Sequence, residues 1–211
     1  LNKIDVIPDD IIKAMIDEEA VTAHRLRALN PSHPFIRGTA QNPDVFFQSR
    51  EAANTYYQQV PAIVEEMMNK FEQLTGRSYK PFEYYGHPQA ERIIVIMGSG
   101  AGPVHEVTDY LNKKGEKVGC VNVHLYRPFS IKHFIDVLPS TVQSIAVLDR
   151  CKEPTAIGEP LYMDVVNAIY NGWKYQARVI TGGRYGLASK EFNAAMAKAV
   201  FDELNEECPK K

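Results

Sequence analysis

From Ile93 onward the chain repeats one arrangement four times, a short β-rich run followed by a helical pattern. The runs are Ile93–Met97, Val118–Leu125, Ser144–Leu148 and Arg178–Thr181; the helical patterns are Val104–Lys114, Ile131–Leu138, Leu161–Tyr170 and Lys190–Asn205. Strands joined through helices run parallel, since only antiparallel neighbours can be joined by a tight hairpin. A run as apolar as Ile93-Ile94-Val95-Ile96 offers water no polar face, so both sides of the sheet need cover. The expected fold class is α/β, a mostly parallel open sheet with helices on both faces, preceded by a helical N-terminal segment.

That segment carries two apolar stripes. Ile11, Ile12, Met15, Ile16, Ala20, Ala23, Leu26 and Leu29 recur at helical steps, predicting one amphipathic helix over Asp10–Leu29, begun by Pro8-Asp9-Asp10 and ended by Asn30-Pro31. Residues 31–48, with Pro31, Pro34, Gly38 and Pro43, predict an irregular connection. The second stripe runs from Tyr56 through Val60, Ile63, Val64, Met67, Met68 and Phe71 to Leu74. Ser49 can cap its start, Gly76 its end, and Pro61 should kink or divide it. Thr75–Ala90 has no sustained period and predicts a linker lying against a surface. The expected domains are 1–80 and 81–211.

The 24 Lys+Arg against 26 Asp+Glu give a net charge of −2, which removes the phosphate-neutralising surplus that nucleic-acid binding draws on. No apolar run approaches the ~20 residues of a membrane span, and no basic-then-apolar leader is visible. The expectation is a soluble, cytoplasmic protein without nucleic-acid or membrane partners. Cys120, Cys151 and Cys208 are too few and too far apart for a disulfide framework or a Cys-x-x-Cys site, and the six histidines lack metal-ligand spacing, so neither metal nor cluster is expected within these residues. The chain begins at Leu1 rather than Met, which suggests a piece of something longer.

Two places could carry chemistry. Gly98, Ser99, Gly100 and Gly102 lie between the first strand and its helix, where backbone N–H groups can hold a phosphate; Pro103, at the third glycine position of a dinucleotide fingerprint, supplies no N–H and favours a plain turn. The carboxyl ends of the strands bring Arg127, Asp149, Arg150, Lys152, Glu153 and Arg184 to the usual binding edge of such a sheet. Contact with a partner or ligand and internal loop bracing both account for these charges, with Lys190-Glu191 read as the start of a solvated helix.

Several phrases are more specific: Arg37-Gly38-Thr39-Ala40-Gln41-Asn42-Pro43-Asp44, Leu74-Thr75-Gly76-Arg77-Ser78-Tyr79, Leu125-Tyr126-Arg127-Pro128-Phe129, Val147-Leu148-Asp149-Arg150-Cys151-Lys152-Glu153-Pro154, Gly158-Glu159-Pro160-Leu161-Tyr162, and Gly183-Arg184-Tyr185-Gly186-Leu187 with Ser189-Lys190-Glu191-Phe192. In order and through nearly the whole chain they resemble pyruvate:ferredoxin (flavodoxin) oxidoreductase. The resemblance implies that residues 1–80 are the tail of a thiamine-diphosphate-type domain and that 81–211 are similar to the C-terminal domain of transketolase. It implies a parent enzyme of anaerobic metabolism and electron transport, cytoplasmic or in the anaerobic organelle of a protist. That parent would be homodimeric, would use thiamine diphosphate, Mg and iron–sulfur clusters, would take coenzyme A as a substrate, and would pass electrons to ferredoxin or flavodoxin. No catalytic, cofactor-binding or metal residue of the family is carried onto this stretch, whose expected role is structural docking against other domains of the parent and which should be inactive alone. A stand-alone nucleotide or coenzyme A binding module is the alternative. The family commonly has a polar, acid-bearing turn after the first strand of this domain; here Gly102-Pro103 fills that place.

Overall fold

The computed structural model describes residues 5–34, 38, 40–174, 177 and 179–210. Arg37, Thr39 and Arg178, which figure in the sequence reading, lie outside them. The chain divides into two units, Leu1–Tyr79 and Lys80–Lys211.

The first unit is helical: α1 (Asp9–Met15), α2 (Glu18–Leu26), α3 (Pro43–Ala52), α4 (Asn54–Tyr57) and α5 (Val60–Thr75). The single helix expected over Asp10–Leu29 is two, because the Asp17 carboxylate accepts the Ala20 N–H at 3.0 Å and starts a new helix in the middle of the stripe. The connection expected over 31–48 is also partly helical. Pro43 opens α3, its fixed φ suiting a first turn where its missing N–H costs nothing. Ser49 therefore sits inside α3 and caps nothing. Pro61 divides the second stripe by standing in the first turn of α5, and Gly76 closes that helix at φ 74°. None of the described residues of this unit is buried.

In the second unit a five-stranded sheet has the order β1-β3-β2-β4-β5. Its strands are β1 (Phe82–Gly86), β2 (Arg92–Met97), β3 (Val118–Val123), β4 (Ser144–Asp149) and β5 (Val179–Arg184), and its helices α6 (Ala101–Lys113), α7 (Ile131–Asp136), α8 (Pro160–Gly172) and α9 (Ala194–Glu203). Strands β2 to β5 pair in parallel, as the strand–helix alternation predicts.

Strand β1 is a correction. It lies within the predicted linker and pairs antiparallel with β3 at the sheet's edge. Its Phe82 is buried against Phe129 and Phe134, and the Tyr84 ring lies over Gly119, where an added Cβ would stand 2.2 Å from the Tyr84 hydroxyl. Aromatic alternation and a small residue diagonally across the pair make this strand, a signal too short to show as a period. The last helix is corrected as well. Asn193 accepts the Met196 N–H at 3.1 Å, so α9 begins at Ala194 and Lys190-Glu191 belong to the loop before it.

Alternation along β2 sorts the core. Ile93 and Val95 join Phe134, Leu161, Val165 and their neighbours beneath α7 and α8; Ile94 and Ile96 join Val104, Leu111, Phe201 and Leu204 beneath α6 and α9. Both faces are covered and both clusters are buried. The chain leaves β2 for β3 on one side and enters β4 on the other, so the strand order reverses between β2 and β4. At such a switch point the loops after the two strands diverge and leave a crevice at the carboxyl edge.

Candidate functional site

At that edge Asp149 ends β4 and is 2% exposed. Its carboxylate accepts the backbone N–H groups of Leu161 (2.9 Å) and Tyr162 (3.1 Å), capping α8 from a distant strand because Glu159, in the capping position, is turned elsewhere. Burial pushes the Asp149 carboxyl up, and the two N–H donors oppose the shift. Glu159, 4% exposed, accepts Arg184 Nε at 2.6 Å, and the Arg184 guanidinium holds it below the usual carboxylate range. The same oxygen faces the Glu153 N–H at 3.4 Å, tying the exposed 151–158 loop to the end of β5.

A second brace stands on the loop after β3. Arg127 Nη2 is 2.6 Å from Asp164 Oδ2 and donates to the Tyr126 hydroxyl at 2.9 Å, with its guanidinium carbon 4.0 Å from the Tyr126 ring centre. Asp164 Oδ2 is buried without hydrogen-bond geometry to any partner among the described residues, so its contact with Arg127 is electrostatic. Burial first, and Asp164 second, push the Tyr126 phenol up to about 12. Cys151 lies 4.0 Å from Asp149; burial and neighbouring carboxylates push its thiol up and disfavour a thiolate.

The glycine turn has a packing reason. Gly98 takes φ 66°, and a Cβ at Gly100 would stand 2.6 Å from Ile96 and 2.8 Å from Tyr185. The Tyr185 hydroxyl donates to the Met97 carbonyl at 2.9 Å, locking the end of β5 over the end of β2, and its ring packs on Phe192 at 4.9 Å. Gly102 faces open space.

The edge thus ties Asp149 to the start of α8, pairs Arg184 with Glu159 and Arg127 with Asp164, and leaves Arg150, Lys152 and Glu153 exposed. Glu159 and Asp164 do the pairing, Tyr185 ties β5 to β2, and none of the three was singled out by sequence reasoning. Only Glu159 had a local signal, an acidic residue directly before a helix-opening proline. No group of three His, Cys, Asp or Glu placed to hold a metal occurs among the described residues, and no described helix is long and apolar enough to cross a membrane.

Two family models match in succession. One described as pyruvate flavodoxin/ferredoxin oxidoreductase, thiamine diphosphate-binding, covers residues 1–69; one described as pyruvate:ferredoxin oxidoreductase core domain II covers residues 90–190. Among curated relatives, the chain is 53% identical to a pyruvate-flavodoxin oxidoreductase from Nostoc sp., 55% to one from Rhodospirillum rubrum and 54% to a pyruvate:ferredoxin oxidoreductase from Moorella thermoacetica, each over 100% of this chain. It spans 18% of the length of each of these relatives.

Proposed function

Because the chain belongs to the pyruvate:ferredoxin (flavodoxin) oxidoreductase family, we propose that it serves as a docking and bracing section of such an enzyme. The parent reaction on this reading converts pyruvate and coenzyme A to acetyl-coenzyme A, CO2, a proton and two electrons, which leave for ferredoxin or flavodoxin. Thiamine diphosphate, with Mg, would stabilise the carbanion left by decarboxylation, chemistry that side chains perform poorly. Residues 5–69 do not fit that cofactor on their own: none of those described is buried, so they offer no enclosed polar cradle. No step of the reaction is assigned to them. On this reading residues 1–80 are the helical tail of the thiamine-diphosphate-type domain, residues 81–211 the transketolase C-terminal-like domain, and the parent a homodimer.

The observation that carries the docking role is the state of the strand-end charges. Asp149, Glu159 and Arg184 satisfy one another or a helix end, and Arg127 pairs with Asp164, so the loops they anchor keep one shape for neighbouring domains to meet. The test uses the full-length parent carrying Arg184→Ala. Weaker assembly or a lower Tm, with activity falling secondarily, is expected. Normal assembly and Tm with only a raised KM for coenzyme A or pyruvate would replace docking by ligand contact. In parallel, pyruvate- and coenzyme-A-dependent dye reduction is expected from the full-length parent and not from the 211-residue chain.

A further inference from the structure

We propose that the crevice at the carboxyl edge, bounded by the loops after β2 and β5 and by Arg150 at the end of β4, binds the phosphate group of a small phosphate ester whose body is apolar. This goes beyond the docking role and does not rest on it. The crevice, about 220 Å³, lies where the strand order reverses, and its wall includes Ser99, Gly100, Arg150, Ser189, Lys190 and the carboxylate-bearing Glu191. In open α/β sheets this is the place where ligands are bound.

The site has cations left over. Arg150 spends one N–H, donating Nε to the Gly186 carbonyl at 3.3 Å; its two Nη groups and Lys190 Nζ have no hydrogen-bond or ion-pair partner among the described residues. Neighbouring basic residues at this edge, Arg127 and Arg184, are neutralised by Asp164 and Glu159. With Glu191 opposing them, Arg150 and Lys190 leave one net positive charge facing the crevice. The hydroxyls of Ser99, after β2, and Ser189, after β5, add donors from two separate loops. Donors supplied by several loops suit a tetrahedral oxyanion with several free oxygens better than a planar carboxylate.

The loop supplying Ser189 and Lys190 is held under strain. Gly186, Ala188 and Ser189 have φ of 63°, 50° and 61°, a left-handed path that residues other than glycine rarely take. That path carries the chain from Tyr185, fixed to Met97, around to Phe192, which packs back on Tyr185. Behind Tyr185 and Phe192 an apolar cleft of about 310 Å³ extends toward Leu148, Met196 and Val200, sharing Tyr185, Gly186, Lys190, Glu191 and Phe192 with the crevice. A phosphate seated between Arg150 and Lys190 would therefore have an apolar slot beside it for the group it esterifies.

The experiment titrates the 211-residue chain with inorganic phosphate, phenyl phosphate and acetate at constant ionic strength and follows amide resonances by NMR. Saturable shifts of Ser99, Gly100, Gly186 and Ser189 are expected with both phosphates, phenyl phosphate binding tighter. The Lys190 side chain is exposed and makes no bond to the described residues, so Lys190→Gln should keep the native spectrum and weaken both phosphates roughly tenfold, the worth of one charge-assisted hydrogen bond. Phe192→Ala should remove the advantage of phenyl phosphate and spare inorganic phosphate. Shifts that stay linear with concentration, equal affinity in Lys190→Gln and the wild type, or acetate binding as tightly as phosphate would each overturn the proposal.

Discussion

The two units of this chain are built from equally amphipathic helices, yet among the described residues only one of them has an interior. In the second unit, helices α6 to α9 lay their apolar stripes on a sheet apolar on both faces, and Ile93–Ile96, Phe134, Leu161, Phe201 and Leu204 are all inaccessible to water or nearly so. In the first, Ile12, Ile16, Leu26, Val45, Phe46, Phe47, Tyr56 and Ile63 are exposed, Ile63 by 51%, although α5 carries as clear a stripe as any helix in the molecule. An apolar face makes a helix amphipathic; a second surface makes it stable. Isolated helices are marginal in water whatever their pattern, since most of their stability in proteins comes from packing.

The largest consequence is in opening free energy. Amides of β2, β3 and β4 should exchange only through global unfolding and those of α5 through local opening, a difference of at least about a thousandfold in protection for a domain stable by ~5 kcal/mol or more. Equal protection of Ile63–Leu74 and Ile93–Met97 in hydrogen exchange by mass spectrometry would break the comparison.

Next come truncations of matched character. Phe201→Ala, at a site with no exposure, should cost about 3–5 kcal/mol in urea unfolding through lost transfer energy and a cavity. Ile63→Ala should stay within about 0.5 kcal/mol, as exposed substitutions generally do. A large loss at Ile63 would mean that the stripe of α5 is covered in solution.

A smaller effect is expected where buried charge is paired. Arg184→Ala leaves the carboxylate of Glu159 buried without its 2.6 Å donor, which should lower stability by about 1–3 kcal/mol. Glu159→Gln in the Arg184→Ala background should recover part of that loss by removing the stranded charge; no recovery would mean that Arg184 acts through its apolar stem.

The smallest effect is the pH dependence. Arg184 holds Glu159 below the ordinary glutamate value of 4.5, so its contribution is full above that value and is lost as pH falls through the depressed one. Asp149 is shifted upward, mainly by burial, and has the opposite sign: the folded state takes up a proton more readily than the unfolded chain, so rising pH through that range is destabilising. Glu159→Gln should therefore flatten the fall in Tm between about pH 4.5 and lower values, and an unchanged profile would remove Glu159 from the acid response.

Much of this is legible in the sequence alone. The strand–helix alternation from Ile93 determined a parallel sheet covered on both faces, because an all-apolar strand can satisfy water on neither side. Gly76 announced the end of α5, since a left-handed closing residue is cheapest as glycine. Asp17 and Asn193 were as visible as Gly76, but capping competes with the apolar period around it, and the period suggested longer helices than the caps allow. Strand β1 exists only because β3 offers it an edge and Gly119 a place for the Tyr84 ring. At the strand ends the sequence collected the charges but could not say which were already matched. Asp149 is answered by backbone donors 12 and 13 residues away and Arg184 by a carboxylate 25 residues away. Partnerships at that range are set by how the helices cross the sheet, and so is what they leave over, Arg150 and Lys190 without an acidic partner among the described residues, on a crevice lined by residues from three different strand ends.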